Sequence, residues 1–249
     1  PDRYGHHRYE INSSGYRGDD FSSAGGKENI IFLGDSVTFG LNVDYQDTYP
    51  ARIEKTLNKH NNSKRYRAVN LGLFGYNPHN ELAVLKQTGL DLNPRLIVLQ
   101  LYMNDFFSKP RSARQHTSLS ERLFILKEAI ITHSALLRRI RQGYKMVLYQ
   151  LFHDYRRKYL PDTLNDSDAA NVKNVFLTHS SDTTVENFGV IKKIHQLAKR
   201  HDINFLVILT PNEVQLFSKE YDLINERVRD FLTREGIPFF DPLDEMRNL

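Results

Sequence analysis

The chain contains no cysteine, which excludes disulfides, thiol catalysis and cysteine-ligated metals in one step. It leaves the cellular compartment open. No run of about 18 uncharged apolar residues occurs, the length a helix needs to cross a bilayer, and no signal-peptide pattern is present. The chain also lacks an initiating methionine, beginning instead at Pro1, so an excised piece whose leader or anchor has been removed is the expectation. A general surplus of positive charge is missing too. The net charge is +4, but residues 138–158 hold seven Lys/Arg against one Asp, which leaves 27 Lys/Arg against 29 Asp/Glu elsewhere. The uniformly basic surface of a nucleic-acid binder is therefore not expected, and no nucleic-acid partner is implied.

What is present is ordinary for a globular protein: 249 residues, 40% hydrophobic and 26% charged, enough for a full core in one domain with an elaboration. Residues 1–28 are polar, with Gly15, Gly18, Gly25, Gly26 and the pair His6-His7, and read as an extended lead-in, mostly loop. From residue 29 strands and helices alternate. Asn29 to Leu33 is a short β-branched apolar run ending at a glycine, the pattern of a buried parallel strand. A helix capped by Asp47 or Thr48, with Pro50 in its first turn, carries Ala51, Ile53 and Leu57 as its apolar stripe. Ala68 to Leu71 reads as the second strand. A second helix starts with Asn77 as cap and Pro78 at its first position, carries Leu82 and Leu85, and is expected to end near Gly89. Leu96 to Leu101 is the third strand.

Residues 106–180 break this rhythm and read as a helical insert, clearest in the basic amphipathic stretch from Leu136 to Tyr155. That stretch suits a cap over a site, a membrane-surface contact through residues 136–158, or a dimer contact. Alternation resumes at a Thr183-x-x-Glu186 capping box, followed by a strand at Phe205 to Leu209, a helix through Leu223 to Leu232 stopped by Gly236, and a fifth strand at Ile237 to Phe240. The fold class expected is α/β: a three-layer, doubly wound parallel sheet, flavodoxin-like in its order 2-1-3-4-5, with a helical insertion.

In that order the loops after the first three strands are neighbours at the carboxyl edge of the sheet, where such folds bind ligands. They carry Ser36, the pair Gly72 and Gly75, and Asn104. Gly34-Asp35-Ser36 alone fits a strand-to-helix turn with an Asx-type bond as well as it fits a nucleophile. Gly72 suits a packing or turn role, Asp35 and Asp105 suit local caps, and His79, in the first turn of a helix at the same edge, reads as a solvated residue near the rim. The convergence favours chemistry: a serine attacking an ester needs donors for the oxygen that becomes negative, and glycine N–H groups and an asparagine amide supply them.

These segments resemble the GDSL or SGNH hydrolases. Gly34-Asp35-Ser36 with Thr38-Phe39-Gly40 is similar to that family's first block, Asn70 to Gly75 to its second and Asn104-Asp105 to its third. Asn12 to Arg17 is similar to a lead-in of bacterial members, so an exported or membrane-anchored bacterial location is the matching expectation. The resemblance spans residues 12–105 and 183–246. It implies Ser36 as nucleophile and an oxyanion hole made by Ser36 N–H, Gly75 N–H and the Asn104 side chain, with no metal or organic cofactor. The partner implied is a small-molecule, carbohydrate or lipid ester. The family's fourth block, Asp-x-x-His, is not matched: Asp241-Pro242-Leu243-Asp244 has no histidine, and none occurs after His201. The expectation is that the domain's C-terminal end, with the base, lies beyond Leu249 and that this chain alone is inactive or nearly so. An O-acyltransferase of the same fold, a flavodoxin-like phosphate binder and a non-catalytic module are the alternatives. Asp35 opposes the phosphate reading, since a carboxylate in an anion cradle repels the ligand.

Overall fold

Strand pairing, rather than helix packing, sets the frame. In a computed structural model, residues 9–21, 26–60, 65–102, 182–217 and 222–248 are described, with isolated positions 105, 134, 136, 140 and 219. Five parallel strands form one sheet in the order β2-β1-β3-β4-β5. They are β1 (Glu28–Leu33), β2 (Tyr66–Asn70), β3 (Pro94–Tyr102), β4 (Asn204–Thr210) and β5 (Phe239–Phe240). The helices are α1 (Ser36–Phe39), α2 (Tyr49–His60), α3 (Pro78–Val84), α4 (Asp182–Arg200), α5 (Glu213–Phe217), α6 (Asp222–Arg234) and α7 (Leu243–Arg247). The α/β class, strand order and doubly wound arrangement are those expected from sequence.

Because successive side chains of a strand point to opposite faces, one strand serves two cores. Ile31 and Leu33 of β1 join Ile97, Leu99 and Leu101 of β3 and Val207 and Leu209 of β4 on one face. That face is covered by Val84 of α3, by Ile191, Ile194 and Ala198 of α4 and by Val228, Phe231 and Leu232 of α6. Ile30 and Phe32 point the other way, with Ala68 and Val98, and meet Tyr49, Ile53 and Leu57 of α2. The result is three layers with β1 and β3 at the centre. The strand order turns at β1, and a crevice at the carboxyl edge follows from that reversal.

The lead-in is more than a tether. Among residues 9–21, Tyr16 and Arg17 are fully buried, and Ile11 and Arg17 form an antiparallel bridge across a tight loop. Asn12 holds that loop closed, its Oδ1 accepting from Ser14 N and Tyr16 N.

Several boundaries differ from expectation. Gly89 does not end the second helix: after α3 the chain continues through a wide turn at Leu85–Gly89 and a 3-10 turn at Leu90–Leu92. The left-handed cap is Asn93, with φ 46°, because asparagine tolerates that region almost as glycine does. α4 is described from Asp182 onward, and the expected Thr183 cap has its side chain outside the described residues. The fifth strand is only Phe239–Phe240, an edge strand hydrogen-bonded on one side. The short helices α5 and α7 carry too few residues to show a periodicity in sequence. The expected insert at 106–180, with its basic 136–158 stretch, lies outside the described residues apart from Ser134, Leu136 and Ile140; the two apolar ones are exposed. Among the described residues no helix is long and apolar enough to cross a membrane.

Candidate active site

Ser36 is the first residue of α1, three positions past the end of β1. The turn that delivers it is fixed by sterics. Gly34 has φ 157°, and a Cβ there would sit 2.1 Å from Thr38 Oγ1 and 2.6 Å from Gln100 Oε1, so only glycine fits. Asp35 caps the helix, its Oδ1 accepting from Val37 N at 2.9 Å. This is the Asx-type bond read from the sequence, and Asp35 serves as a local cap while Ser36, next to it, stays half-buried at the surface of the crevice. Among the described residues the Ser36 hydroxyl has no hydrogen-bond partner.

The loop after β2 is tied against this turn. Leu71 N donates to Phe32 O and Leu73 N to Gly34 O at 2.9 and 3.1 Å, extending the β1–β2 pairing past the strand ends. Asn70 bridges the two, donating from Nδ2 to Thr38 O at 2.6 Å while its Oδ1 accepts from Gly72 N at 3.0 Å. Gly72 is a close-approach glycine: a Cβ would lie 2.6 Å from Phe39 N and from Thr38 Cβ. Its N–H is already spent on Asn70, which leaves the packing role. Gly75 closes the loop in a left-handed turn, with φ 64° and Tyr76 N donating to Leu73 O, and is exposed at the edge. Ser36 and Gly75 therefore belong to two loops joined by backbone bonds. Asn104 lies outside the described residues.

Arg17 supplies a second clamp. Its guanidinium donates to the carbonyls of Phe39, Gly40 and Val43, the residues that end α1 and begin the next loop. It stacks 4.8 Å from the Tyr9 ring centroid and 5.4 Å from that of Phe39. Burial pulls the Arg17 pKa down from its usual value. Below the turn, Thr38 Oγ1 shares hydrogen bonds with Gln100 Oε1 and Tyr49 OH, each at 2.9 Å.

Beneath these loops are three buried carboxyls: Asp35, Glu81 on α3 and Asp105 after β3, each about 1% exposed. Asp105 Oδ2 accepts from Tyr102 N at 2.7 Å, and its carbonyl accepts from Asn187 Nδ2 of α4, so it acts as a local tie. Among the described residues both oxygens of Glu81 lack a hydrogen-bond partner. Burial first, and then the nearby charges of Asp105 and Asp35, push the Glu81 pKa well up; burial and Asp35 do the same to Asp105. Glu81 was missed in the sequence although a signal existed, since it shares the i, i+3, i+4 face of α3 with Pro78, Val84 and Leu85, all buried.

His79 keeps a side chain 32% exposed at the rim, but its Nε2 is enclosed 3.5 Å from Glu186 Oε1 on α4, and burial lowers its pKa despite that carboxylate. Asp241, in the expected fourth-block position, is a structural hub. It pairs with Arg229 at 2.9 Å and accepts from Asn225 Nδ2 and Leu243 N, so its carboxylate is fully engaged. Among the described residues no three His, Asp or Glu side chains are placed to hold a metal ion.

Residues 32–249 match the model of a family described as GDSL-like lipase/acylhydrolase. No curated protein matches the chain in sequence. Among solved structures the chain is similar to AlinE4, a SGNH-hydrolase family esterase, with 16% identity, a TM-score of 0.46, and coverage of 87% of this chain and 77% of that one. It is similar to TesA at 14% identity and TM-score 0.47, covering 85% and 77% of the two chains. It is also similar to the acetyl xylan esterase AlAXEase at 13% identity and TM-score 0.45, covering 88% and 80%.

Proposed function

Since the chain belongs to the GDSL-like lipase/acylhydrolase family, we propose that it is a serine ester hydrolase in which Ser36 is the nucleophile. The observation that carries this reading is the placement of Ser36: a half-buried hydroxyl without a partner among the described residues, on a turn immobilised by Asp35, Asn70 and Arg17 at the sheet's carboxyl edge. In this reading Ser36 Oγ attacks the ester carbonyl and its proton passes to a base. The carbonyl oxygen becomes negative and accepts hydrogen bonds from Ser36 N–H, Gly75 N–H and the Asn104 amide. The tetrahedral species collapses as the alcohol leaves with a proton, and water then releases the acyl group by the reverse route. Each oxyanion donor is worth about 100 to 1000-fold in rate.

The proton acceptor is the missing element of the reading. Residues 202–249 contain no histidine and Asp241 is committed to Arg229, so this stretch holds no Asp/His pair. An isolated serine hydroxyl is a poor nucleophile, and the chain by itself is expected to turn over esters slowly if at all. An O-acyltransferase would differ only in whether water or another hydroxyl takes the acyl group.

The experiment is covalent labelling of the full-length protein by a fluorophosphonate, with Ser36→Ala as control. Labelling of the parent and not of the variant is expected. Equal labelling of both removes Ser36 from the mechanism.

A further inference from the structure

A cavity of about 170 Å³ lies where the lead-in, α2 and the edge strand β2 meet, and Ser36 takes no part in its lining. Arg17 and Asp19 of the lead-in, Lys27, Tyr45, Glu54 of α2 and Arg67 of β2 supply its polar walls. We propose that this cavity is a binding site for a small monovalent carboxylate, of the size of formate or acetate, held between Arg17, Lys27 and Arg67. The inference stands apart from the hydrolase reading and holds whether or not Ser36 is a nucleophile.

Charge, donors and size each point to that ligand. Arg17 and Arg67 are only 2% and 7% exposed, and buried guanidinium groups are ordinarily paired with a carboxylate. Here both donate to neutral carbonyls instead, Arg17 to those of Phe39, Gly40 and Val43 and Arg67 to those of Phe21 and Asp20, and neither forms an ion pair among the described residues. Asp44 and Glu10 act on Arg17 without a direct bond, and burial outweighs them. The acidic groups of the lining do not fill the gap: Asp19 is exposed to solvent, and Glu54 Oε2 is taken by Ala68 N at 2.8 Å. Three cationic side chains against two anionic ones leave one positive charge unanswered, which a single carboxylate neutralises and a dianion overshoots. Donors for it are at hand. Arg17 Nε is enclosed without an acceptor, and the Tyr45 hydroxyl and Lys27 ammonium have none among the described residues. Burial pushes the Tyr45 pKa up to about 12, so its hydroxyl keeps the proton it donates. At roughly 30 Å³ per water-sized atom the space holds about six non-hydrogen atoms. Acetate with a water or two fits, and benzoate is too large. Because the site shares Arg17 with the turn that bears Ser36, an anion there offsets the charge that the clamp carries into the core.

The test titrates the full chain with sodium formate, acetate and benzoate, with sodium chloride making up the ionic strength. It reads the melting temperature together with the arginine Nε–H signals in a heteronuclear NMR spectrum. Formate and acetate should raise the melting temperature saturably, by about 3–6 °C at ten times the dissociation constant. They should also move the Arg17 and Arg67 signals with one common midpoint, and benzoate should do neither. Lys27→Ala and Tyr45→Phe should each weaken binding about tenfold. Glu54→Gln, which keeps an oxygen for Ala68 N and removes a charge, should tighten it. Both arginines remain in every variant, so the clamp on the Ser36 turn stays intact. The proposal is overturned by no saturable response to formate or acetate, by a response that benzoate shares or that leaves both arginine signals in place, or by a midpoint that none of the three substitutions moves.

Discussion

Replacing Arg17 by alanine is the sharpest test of how the nucleophile turn is held. Arg17 is fully buried in a loop 19 residues ahead of Ser36 and donates to three main-chain carbonyls, those of Phe39, Gly40 and Val43. A hydrogen bond from a charged donor contributes about 2 kcal/mol net, so three give about 6. Releasing the arginine from a single conformation returns about 2 kcal/mol of side-chain entropy. The balance is a loss of about 4 kcal/mol before the stacking on Tyr9 and Phe39 is counted. For a domain of this size each kcal/mol moves the melting temperature by about 2–4 °C, which gives a drop of about 8–16 °C. Differential scanning calorimetry reads this directly. Arg17→Lys should recover only part of it, because an ammonium is a point charge and cannot reach three carbonyls in a fan as the planar guanidinium does. A loss below about 1 kcal/mol for the alanine variant, or full recovery by lysine, would refute the clamp. Where labelling of Ser36 is measurable, it should slow in Arg17→Lys even at temperatures at which that variant is fully folded, since the turn and not the global fold is what the clamp fixes.

Two further outcomes follow from the packing beneath the site. Gly72→Ala would place a methyl 2.6 Å from Phe39 N and Thr38 Cβ, which are backbone and a stiff β-branched side chain; overpacking of this kind costs about 1–3 kcal/mol, read as a lower urea midpoint, and the shift of α1 should slow Ser36 labelling as well. Glu81, whose folded pKa is raised by burial and by Asp105 and Asp35, contributes stability that is complete below its unfolded pKa of about 4.3 and lost as pH rises through the folded value. Glu81→Gln removes that loss, so its urea midpoint should fall less than the parent's between pH 4 and pH 9; parallel curves would place the proton elsewhere.

The sheet was legible because each strand is a short apolar run with a glycine or polar stop, and the period-2 split of Ile30 and Phe32 from Ile31 and Leu33 follows from geometry alone. The Asn77-Pro78 helix start was legible for the same local reason, and Asn77 Oδ1 does accept from His79 N and Asn80 N. The helix end was not. Gly89 looked like a stop, but its backbone is right-handed at φ −65°, and the missing Cβ serves packing instead: a Cβ would lie 2.9 Å from Leu85 Cδ1. The role of the lead-in was hidden for a related reason. Tyr16 and Arg17 stand in a polar, glycine-rich stretch whose composition says loop, and nothing local reveals that the acceptors of Arg17 lie more than twenty residues away.

The carboxyls under the turn show why the site is the part of the chain least predictable from local rules. Elsewhere propensity, pattern and capping agree, but Asp35, Glu81 and Asp105 set three carboxyls in one core, where Asp35 and Asp105 each accept a backbone N–H and the oxygens of Glu81 have no partner among the described residues. Burial first, and then the charges of Asp105 and Asp35, disfavour the charged form of Glu81 and raise its pKa well above the usual carboxylate range. Such a group costs stability wherever it is ionised, and helices are not built around one without a return. The return here is position. Asp35 caps the helix that presents Ser36, Asp105 ties the end of β3 to itself and to α4, and Glu81 carries α3 against both. The raised pKa values of Glu81 and Asp105 are the electrostatic mark of that crowding, since each charge disfavours the ionised form of its neighbours.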